Sequence, residues 1–229
     1  MIEFIFMLTH NDVTVDNALE VFDEIRDSGL RYAGFKDIGP PPEVLTDIAG
    51  AAHDAGMEVM LEVVSTSVED ELRSLRAALD IGVDWVLGGT HPEDGAGIFA
   101  GTDIRYCPFP GIVEGHPSVL KGGIAMIAEH AARLTSTDGI HGVDLLAYRH
   151  ETEDPVALTR AVAAAIDGPV IAAGSVASTQ QIAALQDAGA WGFTIGGAVF
   201  EARLPGGTSV AEQVATALDV ARAGTVSEI

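Results

Sequence analysis

The chain has 229 residues, 48% of them apolar, with 34 acidic against 12 basic side chains and a formal net charge of −22. Such a composition excludes a disordered polymer and makes nucleic acid a poor partner, because a phosphate backbone would be repelled. Its longest apolar runs, such as IEFIFML, are too short to cross a bilayer, and its one cysteine, Cys107, excludes an internal disulfide and a multi-cysteine metal site.

Apolar runs of strand length alternate with stretches of helical spacing from one end to the other. The first strand, 2–8, leads into THND, which places His10 and Asp12 at its end. A helix is expected from a Thr14 cap to Gly29, with Ala18, Leu19, Phe22 and Ile25 on its inner face. The second strand, 32–36, ends in Lys36. Only one other lysine, Lys121, occurs in the sequence, so a lysine retained at a strand end carries unusual weight. After a helix closed by Gly56, the third strand, 58–64, carries Glu62 among apolar neighbours, and Ser67 reads as the cap of the next helix. The fourth strand, 84–89, ends at Thr90 and His91, and the fifth spans 104–107 and contains Cys107, read as a small buried hydrophobe. The connection 108–123 is the longest and reads as a mobile lid holding Glu114, His116 and Lys121. The sixth strand, 142–148, ends in Tyr148, Arg149, His150 and Glu151. The seventh, 169–174, runs into AAGSVAS, and the eighth, 191–197, into IGGAVFE.

Eight continuous apolar strands with intervening helices, and no linker or low-complexity tract, give an α/β fold: a single (β/α)₈ barrel domain over residues 1–229. In that fold the βα loops at the C-terminal ends of the strands build the site. Gly174 and Ser175 after the seventh strand and Gly196 and Gly197 after the eighth form the most specific motif, because glycines there let an anion approach main-chain amides. This pattern resembles the phosphate-binding (β/α)₈ superfamily of phosphoribosyl isomerases, indole-glycerol-phosphate synthase and hexosamine-phosphate epimerases, over residues 169–201. Ala173-Gly174-Ser175 stands where those epimerases carry an acidic residue, so the resemblance implies the class and not that activity.

The expected ligand is therefore a small phosphorylated metabolite, with Arg149, His116 and Lys121 as further binding residues. Lys36 is a candidate proton carrier, electrophile or Schiff-base nucleophile; Glu62, costly to bury unpaired, is a candidate acid or base. His10 and Asp12 are candidate donor and base. Three activities stay open: isomerisation or epimerisation next to a carbonyl, a Schiff-base lyase such as an aldolase or decarboxylase, and non-catalytic phosphometabolite binding. No cofactor is expected, although His10, Glu62, His91, His116 and His150 offer donors for a divalent cation; no two stand at a helical ligand spacing. His53, His130 and His141 read as structural. No secretory leader is evident, so a cytoplasmic place is expected. The lysine-poor acidic composition resembles that of proteins adapted to high salt, and the subunit number, a homo-oligomer included, is open.

Overall fold

A computed structural model describes residues 1–65 and 67–223. Eight parallel strands form one sheet: β1 Glu3–Met7, β2 Tyr32–Lys36, β3 Glu58–Val63, β4 Trp85–Gly88, β5 Arg105–Cys107, β6 Val143–Leu145, β7 Val170–Ala172 and β8 Gly192–Ile195. β8 pairs with β1, so the order runs β6-β7-β8-β1-β2-β3-β4-β5. The remaining edges meet where the His141 amide donates to the Tyr106 carbonyl (2.8 Å) and the Asp144 amide to that of Pro108 (3.1 Å). The fold is a (β/α)₈ barrel.

Alternation along the strands divides the core in two. Val59, Leu61 and Val63 of β3 belong to the large cluster between strands and helices, whereas Met60 joins Ile5, Met7, Tyr32, Leu87, Cys107 and Ile171 inside the barrel. Tyr32, Trp85 and Trp191 stack edge to face and tilted at the N-terminal end of the barrel, with ring centroids 5.2–6.5 Å apart. Cys107 is fully buried, and burial pushes its thiol far above the usual range.

The helices are α1 Ala18–Ile25, α2 Pro42–Asp54, α3 Val68–Ile81, α4 Pro92–Phe99, α5 Ile124–Thr135, α6 Pro155–Ala165, α7 Thr179–Asp187, the one-turn α8 Gly197–Phe200 and α9 Val210–Ala223. Ser67 caps α3 as expected, its side chain accepting from the Asp70 amide. Three local expectations are corrected. Helix α1 starts at Ala18, not at Thr14, and its inner face uses Val21 while Leu19 is exposed. The segment 108–123 is not an irregular loop: Ile112–Glu114 and Val119–Lys121 pair as an antiparallel hairpin. The sixth strand stops at Leu145, and a 3₁₀ turn, Ala147–Arg149, follows it. Each deviation bends the chain at the C-terminal mouth of the barrel, where the polar residues gather.

Candidate active site

Lys36 ends β2 and is paired in register with Glu62 of β3. Both side chains point into the barrel and are about 95% buried. A tight two-point contact fixes the lysine backbone: its amide donates to the Thr14 hydroxyl (2.8 Å), which donates in turn to the Lys36 carbonyl (2.9 Å). Thr14 thus belongs to the site and not to a helix cap. It sits on a small hairpin, Thr9–His10 against Val13–Thr14, whose two turn residues Asn11 and Asp12 have φ of 51° and 62°. Two consecutive positive φ values are the mark of a tight hairpin turn, and Asn and Asp tolerate them better than other side-chain residues. The turn delivers Asp12 into the mouth.

Asp12 holds two cations on one oxygen. Its Oδ1 lies 2.5 Å from Lys36 Nζ and 2.7 Å from an Arg149 guanidinium nitrogen. Lys36 Nζ also lies 3.5 Å from Glu62 Oε1. Burial alone would raise Asp12, but the Arg149 hydrogen bond and then the Lys36 charge outweigh it and hold the carboxyl at about 2. A carboxylate held that low is a weak base, so Asp12 serves as an electrostatic anchor. Among the carboxyls lining the cavity beside Lys36, Glu62 has the single ion-pair partner.

These groups line one cavity of about 250 Å³ together with Gly174, Ser175, Gly196 and Gly197. Gly174 and Ser175 follow one another at φ of 75° and 61°. A Cβ on Gly174 would lie 2.3 Å from Arg149 Nε, and one on Gly196 would lie 2.5 Å from the Thr9 carbonyl. Both positions therefore require glycine. Gly197 is different: nothing lies within 3.9 Å of the place of its Cβ, which leaves the start of α8 open toward the cavity. The first amides of a helix have no acceptor within it, so they are available to an anion.

The other expected residues fall elsewhere. His10 stands at the rim, its Nε2 3.3 Å from Glu201, and does not line the cavity. His116 is exposed, and Lys121 is exposed and paired with Glu114 at 2.6 Å on the 112–121 hairpin. His91 contacts the buried Glu71, and His150 Nε2 lies 2.6 Å from the Gly122 carbonyl. The histidines therefore do not converge, and no group of three or more metal-ligating side chains is assembled among the described residues. His130 and His141 accept main-chain amides, from Gly111 and Tyr106. Arg149 lines the cavity as expected. Two features were missed in the sequence. Arg203 and Glu201 flank the mouth, and Asp144 of β6 lies in the barrel interior with no exposure. Asp144 carried the same signal as Glu62, a carboxylate within an apolar strand.

The chain resembles solved barrels at low sequence identity. A structure described as native KDPGal matches with a TM-score of 0.69 and 17% identity, over 96% of this chain and 94% of that one. Orotidine 5'-phosphate decarboxylase from Pyrococcus horikoshii OT3 matches with a TM-score of 0.66 and 13% identity, over 96% and 99%. Tryptophan synthase from M. tuberculosis matches with a TM-score of 0.65 and 13% identity, over 96% and 91%. The shared property is the fold. No protein-family model matches the sequence, and no curated protein does either.

Proposed function

We propose that the protein is an enzyme that moves a proton next to the carbonyl of a small phosphorylated sugar or sugar acid, an isomerase or epimerase. The observation that carries this reading is the meeting, in one cavity, of Lys36 and Glu62 with the glycine loops after β7 and β8. The amides of the Gly174-Ser175 and Gly196-Gly197 loops would hold the phosphate, with Arg149 beside them. Glu62 would take the proton from the carbon next to the carbonyl. The C–H electron pair becomes the enediolate double bond, and the carbonyl π pair moves to oxygen, where the Lys36 ammonium stabilises it. In an isomerisation the proton of the adjacent hydroxyl would pass to the enediolate oxygen, the deprotonated oxygen becoming the new carbonyl, while Glu62 returns its proton to the former carbonyl carbon. In an epimerisation the carbonyl would re-form as a second acid, the role left to the Lys36 ammonium, delivers a proton to the opposite face of the same carbon.

The similar folds include barrels described by decarboxylase and synthase names, which agrees with carbonyl and phosphate chemistry in this architecture without selecting a reaction. Deuterium incorporation tests the reading. In D₂O, dihydroxyacetone phosphate or a ketopentose phosphate is expected to lose proton signal at the carbon next to its carbonyl, and Glu62→Gln to abolish the loss. Absence of exchange across such a panel, with phosphate still bound, turns the reading toward a binding protein.

One observation favours a second reading: Lys36 is the one lysine among the residues lining the cavity, its Nζ 3.5 Å from Glu62, a carboxyl placed to relay protons. A lyase would use that amine to form a Schiff base. Borohydride treatment with the same ketoses, followed by peptide mass mapping, separates the two: a reduced adduct on Lys36 marks the lyase.

A further inference from the structure

Strand β6 sends one charged side chain into the barrel. Val143 and Leu145 face the helices, so Asp144 between them faces inward. It is fully buried, and neither of its carboxyl oxygens has a hydrogen-bond partner among the described residues. Its amide donates across the closing seam to Pro108, which fixes the strand at that point. The charged groups whose fields reach it are Glu62 from β3, Lys36 from β2 and Arg149 from the turn after β6, and the Cys107 thiol on β5 feels its charge in turn.

The charge count in this cluster decides its state. Lys36 and Arg149 share Asp12 Oδ1, and Lys36 has Glu62 as its second partner. Two cations therefore balance two carboxylates. Asp144 is a third carboxyl with no cation at contact distance and no donor among the described residues, and an ionised carboxylate so placed has nothing to replace its lost hydration.

We propose that Asp144 is a positioning residue for the Lys36–Glu62 pair: a carboxyl stored in protonated form in the barrel interior, whose neutrality leaves Lys36 balanced between Asp12 and Glu62 and free to engage a substrate oxygen. Burial first, and the Glu62 charge second, push its carboxyl well above the ordinary range against the pull of Lys36 and Arg149. Ionising Asp144 would add a third negative charge around one ammonium and hold Lys36 to the protein. The purpose of this device rests on the proton chemistry proposed above; its test does not, because it reads the protein without ligand.

Because the chain has two lysines, ¹³C-lysine labelling gives two Cε–Hε correlations, assigned with Lys121→Arg. ¹³C-aspartate labelling reports the Asp144 carboxyl, assigned through its backbone resonances. At neutral pH the carboxyl carbon is expected at the position of a neutral acid, and the Lys36 correlation is expected to be the same in wild type and Asp144→Asn. As pH rises, the Asp144 carboxyl and the Lys36 correlation move together, and that step is missing in Asp144→Asn. A neutral-pH Asp144 signal typical of an ionised carboxylate overturns the proposal, as does a Lys36 correlation indifferent to Asp144 at every pH. Should Asp144→Asn fail to fold, the two wild-type titrations decide alone, by moving together or apart. Deuterium exchange into dihydroxyacetone phosphate is the separate arm. Coupling without exchange across the panel named above retires the proton-transfer reading and leaves Asp144 assigned, and exchange without coupling does the reverse.

Discussion

The part-buried Asp12 and the fully buried Asp144 set opposite pH limits on this protein, and each is tied to Lys36. Asp12 ionises at about 2 in the folded chain against 3.8 without it, so its contribution is complete above 3.8 and is lost as pH falls toward 2. Linkage puts that contribution at roughly 2 kcal/mol. Asp144 is shifted upward from 3.8, so its contribution is complete below 3.8 and is lost as pH rises through its folded value. Urea unfolding over a pH series checks both signs. Asp12→Asn is expected to flatten the acid limb, and Asp144→Asn to remove a decline of up to about 1.4 kcal/mol per pH unit above it. Deleting the shared anchor is harsher than neutralising it. Asp12→Ala leaves Lys36 with Glu62 alone and the partly buried Arg149 without an ion-pair partner among the described residues, and is expected to cost about 3 kcal/mol in the same measurement, the low end for removing one partner of a buried pair. A loss of under about 1 kcal/mol, the range of an exposed pair, would mean that the cations reach water in the folded state.

At the level of elements, the phosphate cradle proposed for the glycine loops is a matter of loop conformation, and glycine substitutions separate shape from space. Gly174→Ala meets both a φ of 75° and a contact of 2.3 Å with Arg149 Nε, whereas Gly197→Ala meets nothing within 3.9 Å. The first is expected to cost at least about 1 kcal/mol in backbone strain and to displace Arg149. Calorimetric titration with inorganic phosphate should show binding lost in Gly174→Ala. Gly197→Ala should keep wild-type thermal stability and weaken binding only by filling space at the start of α8. Equal phosphate affinity in all three proteins would remove the cradle from the site. The alternation of strands and helices was legible because each element is long enough for its period to show, as in β3 with its Val59, Leu61, Val63 face and in α3 with its Ser67 cap. The features that aim the site were not. The Thr9–His10 and Val13–Thr14 strands are two residues each, too short for any period, and the signal that remains is the Asn11-Asp12 dipeptide at their turn. Thr14 was misread because a threonine before a helical stretch is a normal cap, while here the hydroxyl closes on the Lys36 backbone from a distant part of the chain. Lys36 and Glu62 were legible as residues, but whether they meet depends on strand register, which the sequence leaves free by one position.

For the molecule as a whole, a charge of −22 acts on a different length scale from the buried cluster. Only 12 basic residues face 34 acidic ones, and most of the ion pairs, such as Arg73 with Asp70 and Lys121 with Glu114, lie at the surface. The long-range term is therefore repulsive, and salt shortens its reach from about 30 Å at 0.01 M to about 3 Å at 1 M. The midpoint of thermal unfolding is expected to rise steadily over that range, the reverse of a protein held by surface ion pairs, whose attraction would be screened. The same reasoning extends to ligand capture. The phosphorylated ligand proposed above would approach against the net field and meet the cations Arg149, Arg203 and Lys36 only at the cavity, which Asp12, Glu62 and Glu201 also line. Screening should remove the distant repulsion first and leave the buried contacts nearly intact. The association rate of a phosphate ester, followed by NMR line shape, is expected to increase between about 0.01 and about 0.3 M salt while its dissociation rate changes little. A rate that falls with added salt would show that the local cations, and not the acidic surface, govern the approach to the barrel mouth.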